Sequence, residues 1–141
     1  MCGILGSISN NILNHSKGIK SMNHRGPDFS DSIHYDSLIL SHSRLSIIDL
    51  DMKSNQPLTI GDYTIVFNGE IYNFLELKKI LISDGHKFKT KGDTEVLLLW
   101  LIHKGIECIN IVEGMFAFAF FNSSNNELIL CRDSLGIKPL Y

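Results

Sequence analysis

The chain has 141 residues, enough for one domain with a buried core, and its 44% apolar and 20% charged content is that of a globular protein. A formal net charge of −2 gives no electrostatic pull toward nucleic acid or anionic membrane, and no apolar run approaches the ~20 residues that span a bilayer. The cysteines Cys2, Cys108 and Cys131 are odd in number and lack C-x-x-C spacing, and no basic segment precedes an apolar stretch at the N-terminus, so a disulfide framework, a structural zinc site and a signal peptide are not expected and a cytoplasmic setting fits best.

The chain opens Met1-Cys2-Gly3-Ile4-Leu5-Gly6. Removal of Met1 leaves a thiol and a free α-amino group on one residue, a nucleophile beside its own base. Their ordinary pKa values, roughly 8.5 for the thiol and 7.7–8.0 for the amine, make proton transfer nearly balanced near neutral pH. A cysteine here could equally be a small buried hydrophobe. Ile4 to Ile8 reads as a strand ending near Ser9-Asn10. Residues 11–23 read as a helix with Ile12, Ile19 and Met22 on one face, although Gly18 weakens it. His24-Arg25-Gly26-Pro27-Asp28 is a loop with turn chemistry.

Residues 32–35 and 38–42 read as an antiparallel pair turning at Asp36-Ser37. Residues 51–62, polar and carrying Pro57 and Gly61, read as a surface loop. The strand 63–67 runs into Asn68-Gly69-Glu70. Asn73, with Glu76 three residues on, has capping-box spacing for a helix that Phe74, Leu77 and Leu81 face inward and Gly85 closes. A second helix over 94–104, stopped by Gly105, is apolar almost all round and belongs between layers. A short helical piece follows over 106–113. The strand 115–121 alternates Phe116, Phe118 and Phe120 against Ala117 and Ala119, so both faces are covered. A turn at 123–126 leads into a strand over 127–132, and 133–141 starts what looks like another strand. The strands do not alternate regularly with helices, so the pattern is antiparallel sheets with helices packed outside, an α+β fold.

If Cys2 attacks a carbonyl, the oxyanion needs donors already in place. The Asn68 amide and the Gly69 backbone N–H could supply them; Asn-Gly is equally a common hairpin turn. Arg44 could hold a carboxylate with two parallel hydrogen bonds or lie on the surface. Asp93 could accept from a substrate ammonium, serve as a helix N-cap, or do both. Glu70 is a substrate contact or an exposed acid. His24 is read as fixing the loop near the N-terminus. His15, His34, His42, His86 and His103 share no metal-ligand spacing, and Cys108 and Cys131 read as buried thiols. Nucleotide-cradling glycine motifs, H-E-x-x-H and G-x-S-x-G do not occur.

Seven runs together resemble the glutaminase domain of class II glutamine amidotransferases, in its asparagine synthetase branch. They are Met1-Cys2-Gly3-Ile4-Leu5-Gly6, His24-Arg25-Gly26-Pro27-Asp28, the run from Leu40 to Asp49, Phe67-Asn68-Gly69-Glu70-Ile71-Tyr72-Asn73, Gly92-Asp93-Thr94-Glu95-Val96, Gly114-Met115-Phe116-Ala117-Phe118-Ala119 and the run from Arg132 to Tyr141. The resemblance implies an N-terminal-nucleophile hydrolase sandwich of two antiparallel sheets between helical layers, with residues 1–141 as one glutaminase domain. It implies Cys2 as nucleophile, Asn68 and Gly69 as the oxyanion hole, and Arg44 with the backbone near Ile48 on the α-carboxylate of glutamine. Glu70 and Asp93 would hold its α-amino group. Glutamate and ammonia would form through a cysteinyl thioester, the ammonia passing to an acceptor such as activated aspartate.

The resemblance implies no cofactor in this chain; ATP and Mg belong to a synthetase domain or subunit that supplies the acceptor. Two departures stand out. Gly92 occupies a position where the family often has serine. Family members also continue past the Tyr141 position into further strands and the synthetase domain, so the domain is expected to be incomplete at its C-terminus, with open sheet edges and reduced stability. Two other readings stand beside this one: a truncated, inactive remnant, and a noncatalytic interaction module on the same fold. Intact Cys2, Arg44, Asn68, Gly69 and Asp93 argue against the module.

Overall fold

The computed structural model describes residues 2–8, 12–47 and 49–141. Strand β1 (Gly3–Ile8), helix α1 (Ile12–Ser21) and strands β2 (Phe29–His34) and β3 (Leu38–Arg44) come first. They make an antiparallel sheet in the order β1-β3-β2. The second sheet contains β4 (Leu58–Ile60), β5 (Tyr63–Ile71), β6 (Gly114–Asn122) and β7 (Glu127–Arg132) in that spatial order, again antiparallel. Helices α2 (Phe74–Ser83) and α3 (Asp93–Lys104) lie between β5 and β6 in sequence.

Strand alternation sorts the side chains into layers. Phe116, Phe118 and Phe120 of β6 face the helices and pack with Leu77 and Leu81 of α2 and the apolar run of α3. Ala119 and Phe121 face the other way and meet Leu38, Leu40 and Val66 between the sheets. α1 covers the outer face of the first sheet. There the His15 ring bridges Ser7 Oγ of β1 and Ser41 Oγ of β3, each at 2.6 Å. The result is the helix–sheet–sheet–helix α+β sandwich that the resemblance implies, and the buried α3 lies where its all-round apolar sequence puts it.

The differences are local. α1 spans Ile12–Ser21 rather than 11–23, and Ile12 is 55% exposed; the helix docks through His15 because both ring nitrogens find serine partners. Asn11 and the expected strand end at Ser9-Asn10 fall outside the described residues. The first hairpin is longer than expected, reaching Phe29 on one side and Arg44 on the other. Residues 51–62 are not a plain surface loop. They hold a 3-10 turn (Met52–Ser54) and β4, and both Ser54 and Gln56 are buried. Asn68-Gly69 is not a hairpin turn: β5 runs through it, pairing Asn68 with Ala117 and Gly69 with Phe116. The capping box does not form, because the Asn73 side chain instead donates to Ile111 O and accepts from Glu113 N. α3 begins at Asp93 with Gly92 at its N-cap. Residues 133–141 form no strand; the buried Asp133 carboxylate accepts from the backbone N–H groups of Phe116, Ile137 and Lys138 and curls the segment around itself. Among the described residues no helix is long and apolar enough to cross a membrane.

Candidate active site

Cys2 precedes β1, where β1 pairs with the end of β3. Its half-buried thiol lies against the Leu45 backbone, with Sγ accepting from Leu45 N at 3.4 Å and 3.6 Å from Leu45 O. The loop 24–28 fastens this corner. Arg25 Nε donates to Cys2 O at 3.1 Å. Asp28 N donates to Arg44 O, and the Asp28 carboxylate accepts from Ser46 N at 2.7 Å. Gly26 crosses the β3 backbone so closely that a Cβ would come within 2.2 Å of Ser43 C. His24, in contrast, is exposed, and among the described residues its ring bonds only to Ser21 O at the end of α1. The fastening is by Arg25 and Asp28, not by the histidine.

Arg44 is the last residue of β3 and is buried. Along β3 the residues 38, 40, 42 and 44 share the inter-sheet face, so Arg44 continues the line of Leu38 and Leu40 into the site. Its guanidinium donates to Asp51 O at 3.1 Å, to Asn55 Oδ1 at 2.5 Å and to Asp49 O. Among the described residues that uses three of the five guanidinium N–H donors, and the other two have no partner there. The loop it holds is closed again from outside. The Asp49 carboxylate accepts from Ser54 Oγ, Asp51 N and Lys91 N, and these bonds hold its pKa down to about 2. Ile48, expected to contribute backbone, lies outside the described residues.

The third wall is the edge of β5. In an antiparallel ladder, alternate residues turn their N–H and C=O toward one neighbour and then the other. Phe116 spends its N–H and C=O on Asp133, the β7 side. Gly69, paired with Phe116, therefore turns its own N–H away from β6 to the edge that β4 leaves open beyond the Leu58–Ile65 pair. On this edge Phe67 N donates to Gln56 Oε1 at 2.6 Å and Ile71 N donates to Asp93 Oδ2 at 3.0 Å. The Gly69 N–H lies between them, and no described residue accepts from it. Gly69 must be glycine, because a Cβ would stand 2.3 Å from Met115 O. The neighbouring Asn68 is buried, and its amide makes no hydrogen bond among the described residues.

These walls enclose one cavity of about 140 Å³, lined among others by Cys2, Arg44, Asn68, Gly69, Glu70 and Asp93. Six of the seven expected site residues thus meet in one space, smaller than the roughly 300–1,000 Å³ of pockets for drug-sized ligands and suited to a molecule of amino-acid size. Burial raises the pKa of Asp93, with the Glu70 charge adding to it, while the Ile71 N–H bond works the other way. Two acids brought together on one wall suit a cationic group between them. A thiol, two free donors, a guanidinium and an acid pair can together attack a carbonyl, stabilise the oxyanion and hold a zwitterionic end.

Asp49, Gln56 and Lys138 also line the cavity and were not singled out from the sequence. Asp49 and Lys138 lie in the runs 40–49 and 132–141, but nothing local marks them; Gln56 lies in what reads as a surface loop. Cys108 and Cys131 are half-buried rather than buried and lie outside the cavity. Among the described residues no group of three or more His, Cys, Asp or Glu could hold a metal ion.

The family model for a glutamine amidotransferase domain matches residues 1–141. Among curated proteins the chain is similar to the asparagine synthetase [glutamine-hydrolyzing] 1 of Bacillus subtilis strain 168, 42% identical over 151 residues, covering 100% of this chain and 24% of the relative. It is also similar to the asparagine synthetase [glutamine-hydrolyzing] of Sandersonia aurantiaca, at 38% identity over 100% of this chain and 28% of the relative. For the asparagine synthetase [glutamine-hydrolyzing] 3 of Arabidopsis thaliana the figures are 39%, 100% and 25%. The chain spans about a quarter of the length of these relatives.

Proposed function

The chain belongs to the glutamine amidotransferase domain family, and from that premise we propose that it hydrolyses the side-chain amide of glutamine and hands the ammonia to a synthetase domain or subunit, where activated aspartate is the acceptor. With Met1 removed, the Cys2 α-amine takes the thiol proton and Sγ adds to the amide carbon. The Asn68 amide and the Gly69 N–H hold the oxyanion, a contribution worth about 10²–10³ in rate per donor. The ammonium so formed returns its proton to the leaving nitrogen, the C–N bond breaks, and ammonia leaves a thioester. The amine then takes a proton from water, whose hydroxide adds to the thioester; glutamate departs and the thiol is restored.

The free donors of Arg44, with backbone near Ile48, take the α-carboxylate. Glu70 and Asp93 take the α-ammonium, which relieves the acid pair. This chemistry is complete in thiol, amine and hydrogen-bond donors, so the chain needs no cofactor of its own; ATP and magnesium serve the synthetase unit. The setting is the cytoplasm, with no nucleic acid or membrane as partner. The observation that supports the reading most is that Cys2 shares a cavity of about 140 Å³ with Arg44, Asp93 and an Asn68 amide that has no partner among the described residues. The test is glutamate release from glutamine by purified chain lacking Met1. Activity that disappears in Cys2→Ala is the expected result; a folded chain that releases no glutamate contradicts the reading.

A further inference from the structure

We propose that His42 and Gln56 are positioning residues for the Asn68-Gly69 donors: they hold both backbone polar groups of Phe67 in place of the strand partner that β5 lacks there. The proposal rests on the glutaminase reading for its consequence, and on geometry alone for its structure. β4 accompanies β5 only as far as the Leu58–Ile65 pair. Continuing that register would set the Gln56 backbone opposite Phe67. Instead the Gln56 side chain takes the role, its Oε1 accepting from Phe67 N at 2.6 Å while its Nε2 lies 3.3 Å from Thr94 Oγ1. The Phe67 carbonyl is taken from the opposite sheet by His42 Nε2 at 3.2 Å.

A carbonyl only accepts, so His42 must carry its proton on Nε2. The other nitrogen, Nδ1, is then a bare acceptor, and it is the buried side-chain atom left without a partner among the described residues. His42 is fully enclosed, and burial holds it neutral by pushing its pKa down to about 4. A leucine at this position would extend the Leu38–Leu40 line with no orphaned acceptor. The histidine is therefore costly to the core, and what it supplies in return is one N–H aimed at Phe67 O. Four residues further along the same edge, Asp93 anchors Ile71 N. The Gly69 N–H is thus bracketed by two anchored positions, and Asn68 follows directly on the first. A displacement of about 1 Å in groups that position a reaction costs on the order of 10²-fold.

The experiment uses the full chain lacking Met1. His42→Leu keeps the bulk and removes the donor; His42→Gln keeps a donor amide. We expect His42→Leu to lower kcat by about 10- to 100-fold with KM within about threefold, and His42→Gln to recover to within about fivefold of wild type. Nitrogen-15 NMR of the wild-type imidazole should show the neutral Nε2–H tautomer at pH 7. Wild-type kcat in His42→Leu, an equal loss in His42→Gln, or an Nδ1–H tautomer overturns the proposal. Should His42→Leu not fold, Gln56→Met decides: a lowered kcat at similar KM supports the clamp, an unchanged kcat overturns it. A folded wild-type chain that releases no glutamate contradicts the functional reading instead, and the tautomer alone then judges the positioning.

Discussion

The gap between the two sheets has two unlike ends built from the same strands. At one end Leu38 and Leu40 of β3 pack on Val66 of β5 and on Ala119 and Phe121 of β6. At the other, the next inward residues of β3 are His42 and Arg44, and those of β5 are Asn68 and Glu70. The β1–β3–β2 and β5–β6 pairing continues through both, and β4 alone drops away, after the Leu58–Ile65 pair. What changes is that the apolar end is satisfied by contact alone, whereas the polar end needs a partner for every group. Among the described residues, neighbouring groups supply those partners except at the buried His42 Nδ1, the Asn68 amide, the Gly69 N–H and part of Arg44. The last three face the cavity.

The largest effect is expected at the sulfur: Cys2→Ala should reduce glutamate release at least about 10³-fold without altering the urea midpoint. Next is Asn68→Ala, expected to cost about 10²–10³ in kcat, read by steady-state kinetics. The apolar end should behave in the opposite way. Leu40→Ala is expected to cost about 2–5 kcal/mol in urea unfolding while the folded fraction keeps its kcat.

Acid sharpens the contrast. The unfolded chain protonates His42 near pH 6.5, and the folded chain declines that proton until about pH 4. Stability from this group is therefore full above pH 6.5 and lost as pH falls toward 4, by about 3 kcal/mol. His15 and His103, also lowered by burial, act in the same direction, and Asp93 opposes them. The difference between wild type and His42→Gln at pH 7 and pH 4.5 isolates His42, and an equal acid loss in both proteins contradicts the assignment. Asp93→Asn is expected to change stability little. A raised carboxyl pKa means that ionisation opposes folding as pH rises above its ordinary value. Removing that charge should leave stability at pH 7 unchanged or slightly higher, while KM for glutamine rises about tenfold or more.

The layers were legible because alternation in 116–121 and the apolar run of α3 state their burial locally. Cys2, Arg44 and Asp93 were legible because they sit in short runs at strand and helix ends. Other features depend on partners distant in sequence. Asn68-Gly69 carries a hairpin signal, yet the close approach of Met115 and Phe116 carries the strand through it. Gln56 looks like loop polarity until Phe67 N is found bonded to it. The 133–138 turn depends on a carboxylate gathering backbone N–H groups, one of them from β6, which no periodicity records.

The central claim is that Cys2, and no other thiol, attacks a glutamine-shaped molecule in this cavity. Mass spectrometry of the chain lacking Met1 after treatment with a diazoketone analogue of glutamine tests it directly. One adduct, on Cys2 and suppressed by excess glutamine, is the expected result. Labelling that fails at Cys2, or that falls equally on Cys108 and Cys131, contradicts it.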